Sequence, residues 1–461
     1  MFLDEIERIA KITKGIIKEK NVKIFSHFDA DGIASASIIS KMLIREGVNF
    51  QLRILKQLTQ DSIEEIKFNE KDFIIFSDFG SGQLSSLKKL FEKTQILVMD
   101  HHEPSSERHF NLFHINPLLH DKENEVPASI ITYIFAKFFN KQNVDLIDLA
   151  VVGTMADEQD DELELKNLAQ KIFLEAESIG KISTTKGLRF YGRSRPIHKS
   201  LALSFDPYIP EISGSESNAV QFLSEIGIAI NQGGQVRALK DLTLEEQQRL
   251  ASAIIAERFK STFEGKIDDI FGTIYTLTGK PEEIQDTKEF GTLINACGRT
   301  NNPDVGFRLC LGDYSALHKA MDILEKYKRM LSDALNLLRE NKEIFRQTEF
   351  ANFILGGTRI PETIIGTVTS IAVNSEFLNV NKAFFGFSDT DNNMVKVSGR
   401  LPQSLTNLNL GEILKKVVKY TEGEAGGHMR AAGALIPKEK QEEFIKTIDS
   451  LLGEAIGSKE N

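Results

Sequence analysis

Short apolar runs at 22–27, 50–55, 73–77 and 95–99 alternate with segments of helical period, such as Leu84, Leu87 and Phe91. This alternation leaves the N-terminal part of the chain few folds to adopt. Runs so uniformly apolar suit strands buried on both faces, and the stretches between them are long enough for helical crossovers. The fold class expected is α/β, an N-terminal doubly wound, mostly parallel sheet whose right-handed crossovers bring every strand's carboxyl end to one edge. An amphipathic helix with Phe2, Ile6, Ile9 and Ile16 on one face precedes it, and segments 127–140 and 145–156 read as helices that close the domain.

Three of these runs end in acids. The first leads into Asp29 and Asp31, the third ends at Asp78, and the fourth ends at Asp100-His101-His102. A further apolar run, Leu149-Ala-Val-Val-Gly153-Thr-Met-Ala, terminates in Asp157. Strand ends on one edge converge at the crevice where ligands bind, so the acids meet in space although they are dispersed in sequence. Two carboxylates separated by one residue repel each other unless a strong positive charge lies nearby, and a divalent cation supplies it. Asp29 and Asp31 leave a tight turn in different directions and suit two different metals, with Asp78 the natural bridge. His101 offers an imidazole nitrogen, which favours Mn²⁺ and is tolerated by Mg²⁺. Two such ions about 3.5–4 Å apart share a water and clamp a phosphoryl group. Gly32 permits the turn, and a helix beginning near Ile33 aims its amides at an anionic substrate.

From about 160 to 285 the pattern reads as helical, with Thr243-Leu-Glu-Glu246 a capping box. An α/β pattern resumes at about 286. Positions 317, 320, 324, 327, 331, 334 and 338 mark a long helix, and strands are expected at 351–355, 383–388, 393–398 and 433–436. The organisation expected is therefore a domain at 1–160, a helical connecting region at 161–285 and a second α/β domain at 286–456.

A net charge of −10 argues against a simple nucleic-acid coat, since non-specific phosphate binding needs Lys and Arg to release counterions. Local basic groups such as Arg193, Arg195 and Lys199 offer backbone contacts, although short basic clusters are usually solvated surface. Cys297 and Cys310 lack metal-finger spacing, which favours a reducing cytoplasm. No apolar stretch approaches membrane-spanning length and residues 1–20 carry mixed charges, so a cytoplasmic location without membrane is expected.

The set His27-Phe-Asp29-Ala-Asp31-Gly32, Ser77-Asp78, Asp100-His101-His102 and Gly153-Thr-Met-Ala-Asp157 resembles, in order, the four motifs of the DHH phosphoesterase superfamily. The C-terminal Gly426-Gly427-His428-Met-Arg-Ala431-Ala432-Gly433 resembles the associated DHHA1 domain, and Lys396-Val-Ser398-Gly-Arg400 resembles its strand that contacts a substrate phosphate. Glycines allow close backbone approach there, and Arg400 offers a bidentate fork. Gly192-Arg-Ser-Arg195-Pro196 and Phe290-Gly-Thr-Leu-Ile-Asn-Ala-Cys-Gly-Arg299 are similar to archaeal RecJ-like exonucleases, relatives of the replication nuclease that associates with GINS.

The resemblance implies two lobes facing across a cleft, the second a mixed-sheet α/β domain. It implies Asp29 and Asp78 on one metal, with His27 close by, and Asp31, Asp78, His101 and Asp157 on the other. His102 would act on the scissile phosphate beside the bridging Asp78, with Asp100 orienting the histidines. Ser129, Ser398, Arg400, Gly426, Gly427 and His428 would bind substrate. Two departures lie on that path: Val126-Pro-Ala-Ser129 keeps the serine without glycines, and Leu401-Pro402 follows Arg400 where small polar residues are usual. The implied function is an exonuclease on single-stranded DNA or RNA in replication or repair, with replisome proteins such as GINS as partners. The alternatives are a phosphodiesterase of short oligonucleotides or cyclic dinucleotides, and a replisome scaffold with residual nuclease activity. A haloacid-dehalogenase-type phosphatase would leave Asp100-His101-His102 without a task.

Overall fold

A computed structural model describes residues 2–120, 126–157, 167–205, 207–260, 270–373, 381–390, 393–405, 407–427 and 429–457. Helix α1 (Phe2–Ile17) buries Phe2, Ile6, Ile9 and Ile17. It is followed by β1 (Asn21–His27), α2 (Ala30–Arg45), β2 (Phe50–Leu55), α3 (Gln60–Glu64), β3 (Asp72–Ser77), α4 (Leu84–Phe91), β4 (Gln95–Met99) and β5 (Leu112–Ile115). The five strands pair in parallel in the order β2-β1-β3-β4-β5. Every residue of β3 is buried, as its uninterrupted apolar run requires of a central strand. Strand order reverses between β1 and β3, and at such a switch point a crevice opens beyond the carboxyl ends. β5 has no counterpart in the sequence reading, because four residues that include His114 make too short an apolar run. Helices α5 (Ala128–Phe139) and α6 (Ile147–Asp157) pack against α2, and α7 (Asn167–Ser178) follows.

The middle of the chain holds β6 (Ile182–Leu188), α8 (Ile197–Ala202), α9 (Glu216–Glu225), β7 (Asn231–Gln232), β8 (Gln235–Val236), α10 (Leu244–Lys260) and β9 (Phe271–Leu277). The region expected to be helical thus contains strands too. Ser183, Thr184, Thr185 and Lys186 are all exposed, so no alternation marks β6, which is a strand because it pairs with the distant β9. The capping box forms, with Glu246 N donating to Thr243 Oγ1 (3.2 Å) and Thr243 N to Glu246 Oε2 (2.9 Å).

Three helices come next, α11 (Thr287–Arg299), α12 (Pro303–Leu311) and α13 (Leu317–Glu340). The chain divides into two compact units, Met1–Thr185 with Ile274–Glu325, and Lys186–Thr273 with Lys326–Asn461. Residues 286–325, grouped on sequence with the C-terminal domain, pack in the first unit. The reason is α11, which buries Phe290, Leu293, Ile294 and Cys297 and packs on α2 and α6. Both cysteines are buried and free. The second unit ends with β10 (Phe345–Gln347), β11 (Ala351–Gly357), α14 (Ile365–Val373), β12 (Ala383–Asp389), β13 (Met394–Arg400), α15 (Leu410–Thr421), β14 (Glu424–Gly427), β15 (Ala431–Pro437) and α16 (Gln441–Gly457). Its mixed sheet runs β10-β11-β12-β13-β15-β14, with only β11 and β12 parallel. Among the described residues no helix is long and apolar enough to cross a membrane.

Candidate metal centre and substrate patch

Asp29 caps α2, its Oδ1 accepting from Gly32 N at 3.0 Å. Asp31 lies in the first turn of that helix and is buried. Its two carboxylate oxygens accept from Ala128 N (2.7 Å) and Ser129 N (2.9 Å), the first amides of α5. A helix N-terminus, a natural anion site, is here occupied by the protein's own carboxylate. Gly153 on α6 leaves the room for this, since a Cβ there would lie 2.4 Å from Ser129 Oγ and 2.8 Å from Asp31 Oδ1. Gly153→Ala is therefore expected to lower stability by about 1–3 kcal/mol through overpacking and to weaken divalent-cation binding. Urea unfolding and calorimetric titration with Mn²⁺ check this, and wild-type values in both would overturn it.

Two readings change here. Gly32 sits within α2 instead of in a turn, and what it supplies is space, because a Cβ would lie 2.4 Å from His27 O. Two of the first amides of α2 are already engaged within the protein: Ala30 N donates to Asn295 Oδ1 (2.7 Å) and Gly32 N to Asp29. Ser129 is likewise no surface residue. It is wholly buried, its amide donating to Asp31 and its hydroxyl to Ala150 O (3.3 Å), so it helps position Asp31.

Asp78 follows β3 with φ of 62°, a left-handed conformation uncommon outside glycine and held by donation from its N to Met99 O (3.0 Å). Its buried carboxylate is divided between two neighbours. Oδ2 lies 3.2 Å from His27 Nδ1, and Oδ1 lies 3.4 Å from His101 Nε2. His27 Nδ1 is also 2.7 Å from Asp29 Oδ2, and His101 Nε2 is 4.0 Å from Asp157 Oδ2. The result is three overlapping groups, each with ligand atoms within 4.8 Å of one another: His27, Asp29 and Asp78; Asp31, His101 and Asp157; Asp78, His101 and His102.

The electrostatics of the cluster follow from this crowding. Burial, then the charges of Asp78 and Asp157, push Asp31 well above the usual carboxylate range. Burial, with Asp78 and Asp29, raises Asp157 to about 6 against the pull of His101. Burial alone would lower His27 and His101, yet the surrounding carboxylates outweigh it, raising His101 and bringing His27 to about 10. Without another cation the acids keep the imidazoles protonated. Hard oxygen donors with two imidazoles, grouped around a shared carboxylate, fit Mn²⁺ or Mg²⁺.

His102 is held separately. Asp100, fully buried, accepts on Oδ1 from His101 N (2.8 Å), His102 N (3.2 Å) and His102 Nδ1 (2.7 Å), and on Oδ2 from Ser81 N (2.8 Å). Nδ1 thus carries the donated proton, which fixes the ring. Behind it, Asn116 Nδ2 donates to His102 O and to Ser81 Oγ, both at 2.8 Å. That leaves the Ser81 hydroxyl to donate to His114 Nε2 (2.8 Å), and burial lowers His114 to about 4, suiting a neutral acceptor. Sequence reasoning assigned Ser81 and His114 no part.

The loop bearing Asp29 is braced from far along the chain. Besides Asn295, α11 contributes Gly298, where a Cβ would fall 1.7 Å from Phe28 O, and Arg299, whose guanidinium carbon is 6.0 Å from the Phe28 ring centroid. The phrase containing Asn295, Gly298 and Arg299 stood out in the sequence, but nothing local linked it to Asp29.

In the second unit, strand pairing sets Ser398 opposite Gly433 and Gly433 opposite Gly426, and it sets Gly399 opposite Ala432 and Ala432 opposite Gly427. Gly427 (φ 134°) tolerates no side chain, since a Cβ would lie 2.5 Å from Ala432 Cα. Arg400 donates from Nε to Ser370 Oγ (2.7 Å) and from Nη1 to Ser398 Oγ (3.2 Å) and Gly399 O (2.9 Å). Ser398, Gly426 and Gly427 therefore lie in one patch of small residues, with Arg400 beside Ser398 on the same strand. His428 lies outside the described residues.

Comparison with known proteins adds the following. Residues 21–154 match the DHH family N-terminal domain, 190–271 the DHH-CID domain and 359–454 the DHHA1 domain. An uncharacterized protein of Methanocaldococcus jannaschii is 30% identical over 469 residues, covering 98% of this chain and 99% of that protein. Among solved structures, CDC45 from Entamoeba histolytica has a TM-score of 0.66 at 14% identity, covering 98% of this chain and 99% of that one. RecJ from Thermus thermophilus in complex with Mn²⁺ has a TM-score of 0.60 at 15% identity over 98% of this chain. The chain spans 55% of that RecJ. At these identities the likeness is one of fold.

Proposed function

The chain belongs to the DHH family and carries DHH-CID and DHHA1 domains, and from that premise we propose that it is a metal-dependent phosphodiesterase shortening single-stranded nucleic acid from an end, in DNA replication or repair. The observation that carries this reading is the Asp78 carboxylate, with one oxygen beside His27 and the other beside His101. His27, Asp29 and Asp78 would hold one divalent cation, and Asp31, Asp78, His101 and Asp157 a second. When bound, the cations supply the positive charge that acidifies water and stabilises the phosphoryl group in the transition state. The Thermus RecJ with Mn²⁺, of like fold, supports this choice of cofactor.

The chain's own groups then have distinct tasks. Asp100 ties down His102 Nδ1, so that Nε2 is the atom presented outward. Burial would lower His102, but Asp100 raises it, and the proton so retained can be donated to the leaving oxygen. Arg400 and Ser398 would take a phosphate of the strand, while Gly426 and Gly427 admit its close approach.

Single strands of DNA and RNA, labelled at either end and incubated with Mn²⁺, Mg²⁺ or chelator, test the proposal. Stepwise ladders with either cation, none in chelator and rates that rise with strand length are expected. A rate independent of length would favour the small-nucleotide reading, and no shortening with either cation would overturn both. The fold of CDC45 also keeps a replisome-binding role in view, tested by co-purification with GINS.

A further inference from the structure

Residues 178–205 contain six lysines and arginines and no aspartate or glutamate, in a chain of net charge −10. From Lys186 onward this run belongs to the second unit, where it passes from the end of β6 through a turn into α8. The turn is rigidly built. Gly192 has φ of +81°, and its carbonyl accepts from Arg195 N (2.9 Å) and Ser200 Oγ (2.5 Å). Lys240 N donates to Arg193 O (3.0 Å), and Ile197 N to Arg237 O (2.9 Å), which stitches the turn to the neighbouring loop. That loop is anchored in turn by the paired contacts of Arg237 with Glu246, at 2.8 and 2.5 Å. Tyr191 is buried between the Arg195 guanidinium, 5.5 Å from its ring centroid, and Lys328 Nζ, 4.0 Å from it.

We propose that Lys186, Arg189, Arg193, Arg195, Lys199 and Lys240 form a track for the phosphate backbone of a single-stranded nucleic acid. The proposal rests on the reading of the substrate given above and assigns the DHH-CID region a part in holding it. Among the described residues no carboxylate pairs with Lys186, Arg189, Arg195 or Lys199. The turn itself also carries Ser194, an exposed residue whose hydroxyl is an ordinary phosphate donor. Little apolar surface accompanies the charge, whereas the core of a protein interface is apolar. The exceptions are Val236 on β8, 55% exposed, and Phe271 on β9, 40% exposed beside the Lys186–Thr273 contact, where an exposed ring suits base stacking. These features favour a nucleic acid over an acidic protein.

Anisotropy of a fluorescent oligothymidylate bound to the full chain in chelator reads binding without cleavage. Arg193→Glu/Arg195→Glu/Lys199→Glu is expected to weaken binding at least tenfold and to reduce the slope of log affinity against log salt by about 2, at about 0.7 per lost phosphate contact on a single strand. Arg193→Lys/Arg195→Lys is expected to retain most of both. Unchanged affinity and slope in the reversed variant, with a wild-type thermal midpoint, would overturn the track. So would displacement of the strand by polyglutamate at equal charge, which would mark an acidic protein partner. If the reversed variant does not fold, Lys199→Gln and Lys240→Gln carry the test, each expected to lower the slope. Binding that depends on the track in a protein that shortens no strand would sink the nuclease reading alone. Cleavage with a salt slope indifferent to these residues would sink the track alone.

Discussion

Asp78→Asn is expected to lower the rate of strand shortening by more than about 10³-fold, about 4 kcal/mol of transition-state stabilisation. Asparagine is the informative replacement. It tolerates the left-handed backbone at φ 62° nearly as well as aspartate, so the strand end keeps its course. What changes is charge, lost at a carboxylate that lies beside both His27 and His101. Both cation sites should weaken together, which calorimetric titration with Mn²⁺ reads independently of activity. Asp29→Asn should weaken one site and spare much of the other. Wild-type shortening by Asp78→Asn protein of native thermal stability would remove the bridging role.

The second large effect is on stability against pH, with opposite behaviour in chelator and in saturating Mg²⁺. Burial would lower His27, but Asp29 and Asp78 raise it from 6.5 to about 10. A group raised in the folded state stabilises fully below its unfolded value, and the contribution is lost as pH climbs toward the folded one. Metal-free protein should therefore lose roughly 3 kcal/mol between pH 6.5 and about 9, taking about 1.4 kcal/mol per unit. Asp31 and Asp157, also raised, act in the same direction, with Asp157 losing its contribution as pH rises from 3.8 to about 6. Ligands must be deprotonated to bind a cation, so in saturating Mg²⁺ the decline should flatten or reverse. Urea unfolding across this range in both conditions is the measurement. Equal pH slopes with and without Mg²⁺ would show that the cluster holds no cation.

Both results concern residues whose meeting was legible in the sequence, and the reason is local. Asp78 directly follows an apolar run, Asp29 and His101 stand two residues beyond one and Asp31 four, so recognising the parallel strands was enough to bring them to one edge. Asp157 ends a helix instead of a strand, yet its apolar run pointed to the same place. What escaped depends on partners distant in the chain. β6 is a strand only through β9, Ser129 looks like a polar turn residue until Asp31 is placed against its amide, and His114 is defined by Ser81. Glycines escaped for a related reason. Gly153 and Gly298 have no unusual backbone angle, and their necessity lies in what another segment places against them.

The hydrogen bond from Ala30 to Asn295 joins residues 265 positions apart. Domains form progressively as a chain leaves the ribosome. The sheet and all of the clustered acids are made early, by residue 157, whereas the helix that seats the Asp29 loop is made more than a hundred residues later. During synthesis the clustered acids are therefore all in the chain before the residue that seats the Asp29 loop. The Asp29 loop gains its partner Asn295 only when α11 emerges. The order of the residues along the chain thus sets the order in which the candidate site can be assembled.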